Sequence, residues 1–130
     1  MFTRDSKSPR IDTLIGKTSR VAGDVEFEGG MHLDGEVRGG VRADPAQDSS
    51  LSVSESGAIL GPVQVRDLIL NGTVRGDIHV PGRLVLGATA KVEGNVYYGV
   101  IEMTLGAQIV GKLVRLEPEG PGAALEGAPG

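Results

Sequence analysis

Aliphatic residues recur at every second position in short bursts along this chain: Val25-Glu26-Phe27, Leu51-Ser52-Val53, Val63-Gln64-Val65, Leu68-Ile69-Leu70, Leu84-Val85-Leu86 and Ile101-Glu102-Met103. Gly, Pro, Asn or Asp stands at their borders, and alternation of this length predicts strands, not helices. Between the bursts a glycine-centred phrase returns six times. It reads Val21-Ala22-Gly23-Asp24-Val25, Val37-Arg38-Gly39-Gly40-Val41, Ile59-Leu60-Gly61-Pro62-Val63, Val74-Arg75-Gly76-Asp77-Ile78, Val92-Glu93-Gly94-Asn95-Val96 and Ile109-Val110-Gly111-Lys112-Leu113. The central glycines lie 16, 22, 15, 18 and 17 residues apart. The longest gap contains the turn-rich stretch from Ala43 to Ser50, which reads as a loop insertion; without it the period is about 17.

A near-constant spacing through six phrases predicts a solenoid. About 17 residues leave no room for a helix pair or a four-stranded blade, but suit three short strands with tight corners. An antiparallel sandwich with glycine turns is the alternative, and it would not hold the spacing. The predicted fold is all-β: a single-domain parallel β-helix (solenoid) of about six three-sided rungs, flanked by disordered tails. Rungs ~4.8 Å apart make a rod roughly 25–30 Å long. The repeat proper reads from about Val21. Residues 1–13 are expected to be a flexible basic arm, 14–116 the β-helix polymerisation domain, and 117–130 a Gly/Pro-rich tail too poor in apolar side chains to order itself.

Charge divides unevenly. Residues 1–20 hold Arg4, Lys7, Arg10, Lys17 and Arg20 against Asp5 and Asp12, a net of +3, and the rest sums to −7 within a chain total of −4. An acidic rod lacks the clustered cationic face that phosphate contacts need, so no nucleic-acid partner is expected. Two Tyr, two Phe and no Trp leave no stacking platform for sugars or single strands. The absence of Cys removes disulfides, thiol nucleophiles and Cys-based metal sites. The start of the chain does not read as a secretory signal and no stretch approaches a membrane span, so the expected address is cytoplasmic.

Candidate chemistry is sparse. His32, between Met31 and Leu33, and His79, between Ile78 and Val80, should point outward. Histidines in trimeric hexapeptide-repeat enzymes bind zinc or act as general base, which makes a trimeric acyltransferase or metal-dependent enzyme the alternative function. Those enzymes keep a strict six-residue repeat, and this chain drifts. Glu26 with Glu28, and Asp34 with Glu36, share a strand face as catalytic or Ca²⁺-binding carboxylates do, but solvated outward charge explains them. Gly16-Lys17-Thr18 lacks the glycine five residues earlier, where Ile11 stands, that a phosphate loop requires. No catalytic, cofactor or metal residue is expected.

A β-helix leaves unpaired strands at both ends, and solenoids that stay monomeric cap them with polar elements. No amphipathic cap is legible here. The last coil supplies Tyr98, Ile101, Met103, Leu105, Ile109 and Leu113, and the first Val21, Val25, Phe27, Met31 and Leu33; apart from Met31 these are the expected polymer-interface residues.

The run Leu14-Ile15-Gly16-Lys17-Thr18-Ser19-Arg20-Val21-Ala22-Gly23-Asp24-Val25, followed by Met31-His32-Leu33-Asp34-Gly35-Glu36-Val37-Arg38-Gly39, resembles the opening of a bactofilin. The stretches 68–78 and 90–96 are similar to that family's inner repeats, and the likeness covers about residues 11–116. The resemblance implies a right-handed β-helix that polymerises end to end without nucleotide into non-polar cytoskeletal filaments. It further implies cell-wall or polarity partners at the cytoplasmic face of the inner membrane. Met1, Phe2, Arg4, Lys7 and Arg10 are similar to the family's short membrane-binding motif and are the expected lipid contacts.

Overall fold

A computed structural model describes residues 12–44 and 48–116. The predicted tail, residues 1–11 of the predicted arm, and residues 45–47 inside the insertion lie outside the described residues.

The described chain is a six-coil parallel β-helix with three faces. The first face stacks Thr13–Ile15, Gly29–Leu33, Ser49–Val53, Asp67–Leu70 and the second halves of Ile78–Leu86 and Val96–Met103. The second stacks Arg20–Ala22, Glu36–Arg38, Ala58–Ile59, Thr73–Arg75, Lys91–Glu93 and Gln108–Val110. On the third lie Val25–Glu26, Val41–Arg42, Val63–Gln64, the first halves of the two long strands, and Leu113–Arg115. The long strands run through the corner between the third and first faces, so those two faces form one ten-stranded sheet.

Register explains the alternation. Ile15, Leu33, Val53, Leu70, Leu86 and Met103 are stacked partners on the first face. Val21, Val37, Ile59, Val74, Val92 and Ile109 stack on the second, and Val25, Val41, Val63, Ile78, Val96 and Leu113 on the third. From the second to the fifth coil these columns are buried. Slipping one coil by a residue would turn its aliphatic set to solvent, so the pattern fixes the register.

The repeated glycines share one corner, between the second and third faces. A Cβ on Gly39 would run into the carbonyl of Gly23, and one on Gly61 into Gly39. Likewise Gly76 lies on Gly61, Gly94 on Gly76 and Gly111 on Gly94. The glycine phrase thus marks where successive backbones touch; at Gly94 a φ of 148° adds a second demand for glycine. Polar side chains tie neighbouring coils beside this corner. Asp24 accepts the Gly40 amide at 2.8 Å, Asp77 that of Asn95 at 3.0 Å, and Asn95 that of Lys112 at 3.2 Å. At the corner leading to the first face, Asp12 accepts the Gly30 amide at 3.0 Å, Ser49 that of Arg66 at 3.0 Å and Asp67 that of Arg83 at 2.9 Å. Ser49 is buried and satisfied by this bond. The insertion lies at this same corner, leaving the three strands of its coil in register.

Two expectations change in detail. The first coil opens at Thr13, eight residues before Val21, and its strand pairs with Gly29–Leu33. Met31 and Leu33 therefore belong to the second coil and are buried between neighbours.

Candidate end-to-end interface

The two ends of the rod differ in cover. In the last coil the members of the inner columns have neighbours on one side only. Met103 is 48 % exposed and Leu113 46 %, while Ile101 and Ile109 are half-buried against the core. Leu105, at the tip of a corner turn, is 97 % exposed. Tyr98 is half-buried and follows Val80 in its column. These residues meet at one end because each is the last of a stack, and the strands that carry them have one edge without a partner among the described residues. Such an edge offers amides and carbonyls that only another strand satisfies in full.

The first coil is better covered. Val21 and Val25 are half-buried and pack on the core, whereas Ile15 and Phe27 are buried. Leu33 lies one coil further in, between Ile15 and Val53, with no exposed surface. Counting from the glycine phrases starts the rod too late, since Thr13-Leu14-Ile15 precedes the first of them; that is why Leu33 was placed at an end. Polar groups surround this coil: Asp24, Glu26 and Glu28 are exposed.

The remaining chemical candidates resolve into surface pairs. His32 Nε2 lies 3.0 Å from Asp34 Oδ1. The Asp34 carboxyl is held below its ordinary 3.8, chiefly by a hydrogen bond from the Ser54 side chain, helped by His32 and Lys17 and opposed by desolvation. His79 packs at a tilt against Tyr97, ring centroids 6.3 Å apart. Glu26 accepts from Arg42 at 2.6 Å, and Glu36 lies between Arg20 and Arg38 at 3.8 and 3.3 Å. Lys17 and Thr18 form the corner between the first two strands, with no helix terminus to cradle phosphate. Among the described residues no group of three or more His, Asp or Glu could hold a metal ion, and no helix is long and apolar enough to cross a membrane. Met1, Phe2, Arg4, Lys7 and Arg10 lie outside the described residues.

The outward valines of the last coil, Val100, Val110 and Val114, were not singled out from sequence. The signal was present: Val110 and Val114 occupy positions where earlier coils carry Glu93 and Tyr97.

A family model described as "Bactofilin: Polymer-forming cytoskeletal" matches residues 13–114, which spans all six coils. No curated protein and no solved structure matches the chain.

Proposed function

The chain belongs to the bactofilin family, and from that premise we propose that it builds non-polar filaments, without nucleotide, by stacking its β-helices end to end. The family is polymer-forming and cytoskeletal, and the chain is not an enzyme. One observation carries the stacking reading: the last coil ends in a bare apolar disc of Ile101, Met103, Ile109 and Leu113, bordered by Leu105 and Tyr98. Only a surface of the same triangular section can cover that disc and also pair its three strand edges, and a second copy of this chain supplies one. At the first coil the matching contacts are Val21, Val25 and Phe27. Nucleotide independence is supported by the absence of a phosphate-binding loop from the sequence.

The rest of the proposal concerns where the filament sits. Met1 and Phe2 with Arg4, Lys7 and Arg10 attach it to anionic lipid on the cytoplasmic face of the inner membrane. There it acts as a scaffold for envelope or cell-shape proteins. Each basic residue near such a surface contributes ~1 kcal/mol, and a polymer presents many arms at once.

Negative-stain electron microscopy of the purified protein, with neither nucleotide nor metal added, tests the core claim. Long thin filaments are expected. Uniform compact particles would overturn the polymer, and discrete zinc-loaded trimers would restore the enzyme alternative. Leu105→Arg and Leu113→Arg, both on exposed side chains, should abolish filaments while leaving the β-sheet circular dichroism unchanged. Filaments of undiminished length from both variants would remove this end from the interface.

A further inference from the structure

On the premise that the chain polymerises, we propose that Val100, Val110 and Val114 form an apolar collar through which one filament docks laterally on another. The last coil departs from the other five on its outer surface as well as its inner one. Val110 is 71 % exposed, in register with Glu93 below it, and the exposed Val114 is in register with Tyr97. The exposed Val100 follows Arg83. Each face, or the corner that opens it, thus ends its outer column in a valine where the coil beneath carries a charged or aromatic residue.

Plain stacking does not account for them. A second subunit on the end covers Ile101, Ile109 and Leu113, whose columns run into the core, but leaves on the flank any side chain that points away from the axis. The collar therefore survives polymerisation and recurs once per subunit.

Its size selects the occupant. A stable pairwise interface buries about 800 Å² on each partner, far more than three valines offer, so no solitary protein is held there. Weak contacts add up only where many are engaged at once with matching spacing. A neighbouring filament of the same chain has that spacing by construction, and its own collar is the complementary surface. The flank between collars favours close approach, since its charges are internally paired: Arg20 with Glu36, Arg42 with Glu26, Arg75 with Glu93 and Arg83 with Glu102.

Two centrifugation speeds separate the possibilities. Bundles pellet at low speed and single filaments only at high speed. The parent is expected in the low-speed pellet, with side-by-side filaments in micrographs. The double variant Val110→Glu, Val114→Lys keeps the net charge and should move to the high-speed pellet as long single filaments, with a several-fold loss of low-speed material. Equal low-speed pelleting by parent and variant overturns the collar. So does a parent that forms only single filaments, or a variant that fails to reach even the high-speed pellet, which would place the valines in the end joint. A parent that pellets at neither speed sinks the polymer reading itself.

Discussion

A glycine column is the most constrained feature at the scale of single residues. Where Gly94 rests on the Gly76 carbonyl, even a methyl group must push two coils apart. We expect Gly94→Ala to lower stability by about 2–3 kcal/mol, read as a fall in the thermal unfolding midpoint, because steric clash and an unfavourable φ act together. An unchanged midpoint would mean that the corner relaxes freely. Asp34 offers a subtler case. Its carboxyl titrates below 3.8 in the folded state, chiefly through Ser54, so its contribution is complete above that value and fades as pH falls through the depressed one. Ser54→Ala should raise the Asp34 value towards 3.8 in a carboxyl-resolved NMR titration, with His32 and Lys17 accounting for whatever depression remains.

At the scale of strands, the bursts and their period were readable because one coil uses each inner column once. The inward positions Val37, Ile59, Val74 and Val92 fall one per phrase, and the structure stacks them in that order. Thr13–Ile15 escaped because no glycine phrase precedes it and its first inward position is a threonine, in register with Met31. The outer apolar residues of the last coil escaped for another reason. Alternation tells inside from outside, but a valine in an outside position looks like any strand residue until the coil is known to be terminal. Inner and end positions should respond oppositely to substitution. Leu70→Ala, fully buried, should cost about 2–5 kcal/mol in chemical denaturation of the monomeric Leu105→Arg background. The background change itself should cost almost nothing, since Leu105 already faces solvent.

For the molecule as a whole, the ends and the arm are separable, because a solenoid coil contacts only its neighbours. Deleting residues 1–10 should leave filament yield unchanged in the high-speed pellet and cut co-sedimentation with vesicles of anionic lipid several-fold. Equal vesicle binding would defeat the lipid role of Met1, Phe2, Arg4, Lys7 and Arg10. Raising salt should weaken the full chain's vesicle binding too, as screening shortens the reach of basic residues. The exposed ion pairs on the flanks are worth ~0–1 kcal/mol each, so the same salt should leave the unfolding midpoint nearly fixed.

The side-chain bonds between coils all have the same sense: the earlier coil accepts and the later one donates. Asp12 is made before Gly30, Asp24 before Gly40, Ser49 before Arg66, Asp67 before Arg83, Asp77 before Asn95 and Asn95 before Lys112. A ribosome releases the chain in that order. Each new coil therefore emerges onto a ledge whose acceptors are already fixed, and the rod is laid down during synthesis, course upon course, with the bare disc of Ile101, Met103, Ile109 and Leu113 completed last. The surface best suited to joining another copy is thus withheld until the rest of the rod stands.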